Sequence, residues 1–278
     1  MTKILNGNEL AEFIKERQLH QVRGLIQHNR IQPKLAIVQT FCNPVINTYV
    51  GLKQAYGADI SVDVDVYKIP QSEALDLVTK LNKDNLVHGI IIQLPVENPE
   101  KTDEIVNAVA PEKDVDGLGE DATLDPATPM AINWLLAGYN IDLRDKKIAI
   151  VGNGRLVGKP LARMWRNSGL DVEVLDSKTE NIDEKLRSAD VIVTATGVPN
   201  LIKSDQIKAD AVVVDAGTAD EHGKIVGDIS LDVRERTDIT ITPKLGGVGP
   251  LTVTALMDNV LRAARLMATT RDSTDKAR

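Results

Sequence analysis

The stretch from Ile148 to Asp176, IAIVGNGRLVGKPLARMWRNSGLDVEVLD, restricts the possible folds more than any other part of the chain. A short apolar run breaks into a loop with Gly152, Gly154 and Gly158. A helical pattern with Leu161, Met164 and Trp165 follows, and a second apolar run ends at Asp176. This is the order of a strand, a tight turn, a helix and a parallel strand. Glycines suit such a turn because a side chain would keep a pyrophosphate away from the backbone amides, and the helix N-terminus that follows attracts negative charge. Gly-x-Gly alone also occurs where a helix simply packs closely on a sheet. The acidic residue at the tip of the next strand adds the second half of a dinucleotide signature, although Gly-x-Gly-x-x-x-Gly is one residue longer than the commonest spacing.

The chain of 278 residues, with 42% hydrophobic and 26% charged residues, has room for two modest domains with their own cores. A formal net charge of −7 leaves no broad basic face for a phosphate backbone, so nucleic acid is not an expected partner. No apolar run approaches the length of a membrane span, and nothing at the N-terminus looks like an export signal. The single cysteine, Cys42, cannot pair internally, which fits a reducing cytoplasm, and it is read as a plain thiol. His20, His28, His88 and His222 have no metal-ligand spacing, and no metal site is expected.

From the N-terminus, apolar positions at three- and four-residue spacing predict a helix from Asn8 to about Ile26. A strand at Lys34–Gln39, a helix from Ile46 to Tyr56, a half-exposed strand at Val62–Tyr67 and a helix around Ala74–Leu81 follow. The nearly unbroken apolar run Val87–Leu94 reads as a central strand of a parallel sheet, and a helix near Asp103–Val109 leads into the loop Pro111–Gly117. Thr128-Pro129 reads as an N-cap and first helical residue. Beyond the opening stretch, buried strands at Val191–Thr194 and Val212–Asp215 each end in a glycine turn. Ligands of open α/β sheets bind at such carboxyl ends, so Gly197 and Asp215 to Thr218, with Gly217 between them, are expected to line a cofactor cleft. Gly246 to Pro250 lead into a last helix, and the residues from Thr269 are expected to fray.

Tyr49 and Lys53 lie one turn apart on the second helix. A lysine partly removed from water can act as a proton shuttle, although an exposed lysine on a helix face is the more ordinary reading. Short-chain dehydrogenases use the same spacing, but there the glycine turn comes first, so that match is excluded. Pro95 stops the apolar strand and leaves Gln93 near its carboxyl end, and Asp116 sits before Gly117 on the following loop. Together Tyr49, Lys53, Gln93 and Asp116 can converge on one cleft.

The ordered series Tyr49-x-x-x-Lys53, His88-Gly-Ile-Ile-Ile-Gln-Leu-Pro95, Pro111-Glu-Lys-Asp-Val-Asp-Gly117, Thr128-Pro129, Val157-Gly-Lys-Pro160, Val226-Gly-Asp228 and Gly246-Gly-Val-Gly-Pro-Leu-Thr252 resembles the bifunctional methylenetetrahydrofolate dehydrogenase/cyclohydrolases of one-carbon metabolism over nearly the whole chain. The resemblance implies two α/β domains. Residues 1–120 would form the folate-binding domain, with a helix at 253–270 packing back on it; 121–252 would form a Rossmann-type dinucleotide-binding domain, and 271–278 a polar tail. It implies oxidation of 5,10-methylenetetrahydrofolate with NAD or NADP, then hydrolysis of the methenyl product to 10-formyltetrahydrofolate, in a cytoplasmic homodimer. A dehydrogenase without cyclohydrolase activity and a non-catalytic folate- or nucleotide-binding protein are the alternatives.

By the same resemblance, Tyr49 would pack on the folate rings, Lys53 would transfer protons, Gln93 would hydrogen-bond Lys53 and Asp116 would hold the amino-pyrimidine edge. Ile92, Leu94, Gly246, Gly247, Gly249, Pro250 and Thr252 would complete the substrate site. Gly152, Asn153, Gly154, Arg155, Gly158, Asp176, Ser177, Lys178, Gly197, Asp215, Gly217 and Thr218 would hold the cofactor. The chain departs from the family pattern at Phe41-Cys-Asn43, Ile46, Asn153-Gly154, Asp176 and Lys244-Leu245. Asp176 can accept hydrogen bonds from the adenosine ribose and would repel an added phosphate, so NAD is expected over NADP.

Overall fold

The computed structural model describes residues 3–221 and 224–276. In chain order the elements are β1 (Lys3–Ile4), α1 (Gly7–Asn29), β2 (Lys34–Gln39), α2 (Pro44–Asp59), β3 (Asp63–Lys68), α3 (Ala74–Lys83), β4 (Gly89–Ile92), α4 (Thr102–Asn107), α5 (Ala127–Gly138), β5 (Ile148–Val151), α6 (Gly158–Asn167), β6 (Val172–Leu175), α7 (Ile182–Ser188), β7 (Val191–Thr194), β8 (Val212–Asp215), β9 (Ala219–Glu221), β10 (Lys224–Val226), α8 (Leu231–Arg234), β11 (Thr240–Ile241) and α9 (Val248–Lys276). Among the described residues no helix is long and apolar enough to cross a membrane, and no group of His, Cys, Asp and Glu is placed to hold a metal ion. His222 lies outside the described residues.

The chain divides into two compact units. One comprises Met1–Ala11 with Thr128–Thr252, the other Glu12–Ala127 with Val253–Arg278. In the first, six parallel strands run in the order β1-β11-β8-β7-β5-β6. The strands IAIV and VIVT are buried at every position, as strands covered on both faces must be. Ala149, Val151 and Ile192 of these strands join Leu175, Leu186, Ile202 and Val233 in one core. In the second, β2 lies between β3 and β4, all parallel. The alternating β3 sits at an edge, where its charges reach water, while β2 and β4 pack against Val78, Leu81 and Ile105.

Several boundaries differ from the sequence reading. Residues 1–11 fall with the six-stranded unit because β1 pairs with β11 and the Gly7 amide donates to the Gly246 carbonyl at 2.8 Å. A two-residue strand carries no periodicity from which to predict it. The helix expected to begin at Thr128-Pro129 begins at Ala127, which puts Thr128 inside its first turn rather than at the cap. The strand expected over 87–94 is confined to Gly89–Ile92, and α4 ends at Asn107. Where fraying was expected from Thr269 and a polar tail from 271, α9 continues to Lys276; residues 277–278 lie outside the described residues.

Within the three-stranded unit, Asn259 of α9 fixes the loop that carries Asp116. Its buried amide nitrogen donates to the carbonyls of Val115 and Asp125, both at 2.9 Å. Replacing it with an apolar side chain strands the buried Val115 carbonyl and removes the donor to the part-buried Asp125 carbonyl. Asn259→Leu is expected to lower unfolding free energy in urea by about 2–4 kcal/mol. A loss below about 0.5 kcal/mol, the scale of ordinary surface substitutions, would show that this tie is dispensable.

Candidate active site

The carboxyl ends of β2 and β4 and the start of α2 build a polar cluster in the three-stranded unit. α2 starts where it does because Asn43 caps it, accepting the Ile46 amide at 2.7 Å, and Pro44 occupies the first turn. Tyr49 and Lys53 then lie one turn apart on it, both half-buried. Lys53 Nζ donates to Gln93 Oε1 at 2.7 Å. The other end of that amide, Nε2, donates to the Leu94 carbonyl at 3.0 Å, which fixes the orientation that turns Oε1 toward the amine. Ile92 is buried in the sheet, so any contact it makes with a ligand is through its main chain, and Leu94 packs partly against the core.

Asp116 is held near Lys53 by the fold of its loop. The Ile90 amide donates to the Lys113 carbonyl, and buried Lys113 Nζ donates to the carbonyls of Leu81 and Asp84. Asp114 accepts the amides of Gly117 and Gly119 at 3.0 and 2.7 Å. Gly117 has a φ of +67°, and a Cβ there would stand 2.7 Å from the Leu124 carbonyl oxygen, so glycine is required. Burial pushes the Asp116 carboxyl up to about 6, with the Lys53 charge opposing and Asp114 adding to the shift. Burial also lowers the Lys53 amine, and Asp116 offsets part of that. An acid and an amine whose proton affinities are displaced toward each other suit general acid–base chemistry.

Gln39 belongs to the same region but was not singled out in the sequence. It is fully buried, and its Nε2 donates to the Phe41 carbonyl at 3.1 Å, Cys42 Sγ at 3.3 Å and Asn47 Oδ1 at 3.0 Å. It thereby ties the loop before α2 to the helix. The signal was available, since Gln39 ends an apolar strand as Gln93 ends another. Cys42 is exposed.

In the six-stranded unit the glycines of the opening stretch do different work. Gly152 has a φ of +104° and no room for a Cβ against the Ala195 carbonyl, while a Cβ on Gly158 would stand 1.9 Å from the Gly152 carbonyl oxygen. Both are required by the turn itself. Gly154 has no atom within 4 Å of where a Cβ would lie, so open space lies beside the loop that leads to α6. Such a loop, flanked by Asn153 and Arg155, fits the pyrophosphate of a dinucleotide. Asp176 is exposed at the end of β6, and its Oδ1 accepts the Lys178 amide at 2.9 Å and the Thr179 hydroxyl at 3.3 Å, while exposed Ser177 occupies the same turn.

Other expected positions are taken up by the protein. The side chain of Asp215 is buried, with Arg234 donating to Oδ2 at 2.5 Å and Thr194 and the amides of Gly217 and Asp228 donating to Oδ1. Its carboxylate is thus an internal tie rather than the cleft group the sequence reading expected. Gly246, at φ +84°, packs on Asn8, and Gly247 leaves no room for a side chain on Gly7. Gly249 has open space beside it, Pro250 lies in the first turn of α9, and Thr252 Oγ1 donates to the Val248 carbonyl at 3.2 Å. Gly197, at φ +68°, and Thr218 belong to touching turns after β7 and β8.

Two family models match the chain: the tetrahydrofolate dehydrogenase/cyclohydrolase catalytic domain over residues 5–116, and the NAD(P)-binding domain of the same enzymes over residues 126–268. The bifunctional protein FolD of Exiguobacterium sibiricum is 35% identical over 279 aligned residues, covering 95% of this chain and all of that one. The crystal structure of the FolD dehydrogenase/cyclohydrolase of Campylobacter jejuni superposes with a TM-score of 0.89 at 35% identity, covering 96% of this chain and 99% of the other. That of the Trypanosoma brucei dehydrogenase-cyclohydrolase, complexed with NADP and an inhibitor, gives a TM-score of 0.89 at 27% identity, covering 95% and 98%.

The Asp116 environment has a consequence for stability. A carboxyl that titrates at about 6 in the folded chain and near 4 in the unfolded chain holds its proton longer when folded, so the parent loses stability as pH rises through that window. Asp116→Asn removes this penalty. The variant is expected to gain stability relative to the parent above about pH 6, with the gain disappearing below about pH 4. A stability difference that is flat from acid to neutral pH would contradict the burial of this carboxyl.

Proposed function

The chain belongs to the tetrahydrofolate dehydrogenase/cyclohydrolase family, and we propose that it oxidises 5,10-methylenetetrahydrofolate by hydride transfer to a nicotinamide dinucleotide and hydrolyses the 5,10-methenyl product to 10-formyltetrahydrofolate. The observation that carries the site assignment is the half-buried Lys53 amine held 2.7 Å from Gln93 Oε1, with the raised carboxyl of Asp116 near it. Hydride acceptance is the chemistry that the bound dinucleotide supplies. The protein's part in that step is alignment, because the departing hydride leaves a cation stabilised by both flanking nitrogens of the folate.

Tyr49 offers an aromatic face for the folate rings, and Asp116 offers a carboxylate for the amino-pyrimidine edge through charge-assisted hydrogen bonds. Hydrolysis makes a further demand, since the water that attacks the methenyl carbon must lose a proton. Lys53 is suited to take it because burial lowers its hold on its own proton, and Gln93 keeps the amine in place. An arginine there would stay charged throughout. The loop around Gly154, the helix start at Gly158 and the turns at Gly197 and Thr218 are proposed to seat the dinucleotide.

For the cofactor itself we propose NAD over NADP. The fixed negative charge of Asp176 at the tip of β6 supports this reading, because an added ribose phosphate would approach a like charge. Lys178 and Arg155 are the cations that could soften that repulsion. We also propose a homodimer, for which the edge strand β6 is available, and a cytoplasmic setting that keeps Cys42 reduced.

Lys53→Met is expected to abolish methenyltetrahydrofolate hydrolysis and leave measurable hydride transfer, followed as separate product yields. Hydrolysis at the parent rate would remove Lys53 from the chemistry. The ratio of kcat/KM with NAD to that with NADP is expected to favour NAD by about tenfold in the parent and to shift toward NADP in Asp176→Ser. A parent preferring NADP, or a ratio that ignores the substitution, would reverse the cofactor assignment.

A further inference from the structure

The chemistry above leaves unused a buried carboxylate in the six-stranded unit. Asp228 is fully buried. Its Oδ2 accepts the Thr196 amide at 2.7 Å, and its Oδ1 has no hydrogen-bond partner. Its own amide donates to Asp215 Oδ1 at 3.1 Å, which also accepts the Gly217 amide at 3.2 Å.

The two acids are packed across one another's glycines. A Cβ on Gly217 would lie 2.0 Å from Asp228 Oδ1, and a Cβ on Gly227 would lie 2.0 Å from Asp215 Oδ2. Glycine at each position therefore makes room for the carboxylate of the other segment. Asp215, unlike Asp228, is held in a salt bridge among the described residues, with Arg234. Burial and the neighbouring Asp215 charge push the Asp228 carboxyl up, and the hydrogen bonds from Thr196 and Gly197 oppose that shift.

These contacts meet at the turns that follow β7 and β8, the adjacent central strands. The turns touch, since a Cβ on Gly197 would lie 3.2 Å from the Thr218 carbonyl oxygen. Doubly wound sheets bind dinucleotides at the carboxyl ends of such strands. β7 and β8 lie on the opposite side of β5 from β6, which ends at Asp176. With the adenosine end at Asp176, they face the nicotinamide half.

We propose that Asp228 is a positioning residue for hydride transfer: by holding the Thr196 amide and packing against Gly217 it locks the turns 195–197 and 216–218 together as the wall that seats the nicotinamide half of the dinucleotide. This rests on the dehydrogenase reading. It assigns Asp228 no contact with folate and no part in hydrolysis, a step that needs no dinucleotide.

The test compares Asp228→Ala, Asp228→Asn and Gly217→Ala with the parent, measuring dinucleotide KM and Kd, folate KM and methenyl hydrolysis. Asp228→Ala is expected to raise the dinucleotide KM on the order of tenfold, with hydrolysis within about twofold of the parent. Asp228→Asn, a neutral isostere that still accepts the Thr196 amide, is expected to keep the parent KM. Gly217→Ala, whose Cβ displaces the carboxylate, is expected to raise the KM as the Ala variant does, and in the Asp228→Ala background to add no more than about twofold. An unchanged dinucleotide KM in folded Asp228→Ala, an Asn variant as impaired as Ala, or equal losses in both activities would overturn the proposal. Should Asp228→Ala fail to fold, an unchanged KM in Gly217→Ala overturns it and a raised KM with hydrolysis retained supports it. A parent without dehydrogenase activity would instead sink the functional reading, and the dinucleotide Kd values would still decide the role of Asp228.

Discussion

Parallel strands covered on both faces admit polar side chains mainly at their ends, and this constraint organises each unit of the chain. In the three-stranded unit, the apolar body of β2 ends in Gln39, and Gln93 follows directly on β4. Gln39 spends its amide nitrogen on the loop that begins α2, and Gln93 presents its oxygen to Lys53. In the six-stranded unit, β7 and β8 end in Thr194 and Asp215, which bond to one another and to the turns beyond them. The same packing that stabilises the sheets thus concentrates their polar groups at the edge where ligands bind.

At that edge the energetics run against ordinary ionisation. Taking Lys53 from water favours the neutral amine, and taking Asp116 from water favours the neutral acid, while their mutual attraction favours both charges. Burial is the larger effect for each. The result is a pair whose proton affinities have moved toward each other, as the proposed hydrolysis requires. The rigidity of the surroundings preserves this arrangement: Asn43 sets the start of α2, Asn259 and Asp114 hold the 113–117 loop, and the Leu94 carbonyl orients Gln93.

Much of this was legible in the residues. The apolar runs at 34–39, 87–94, 148–151, 191–194 and 212–215 read as buried strands, and the four-residue spacing of Tyr49 and Lys53 put them on one helix face. Gln93 was legible as a polar residue beside a strand end and Asp116 as an acid before the loop glycine Gly117, and the motif order identified the family. What escaped were contacts between distant segments. β1 is two residues long and exists by pairing with β11, and nothing local foretells that partner. Asp215 looked like a cleft residue, but Arg234 and the 228–229 segment claim its carboxylate. The glycines shared one sequence signature yet divide by role, Gly152 and Gly158 serving the turn and Gly154 leaving space beside it.

The central claim is that the fold, before any ligand arrives, holds Lys53 as an amine that gives up its proton more readily than a free lysine. Isotope-edited NMR of the lysine side chains, with Lys53→Met identifying the resonance, measures this directly. A Lys53 titration midpoint below the ordinary lysine value of 10.5 is the expected result. A midpoint at or above 10.5 would contradict the account and leave the hydrolytic step without its proton acceptor.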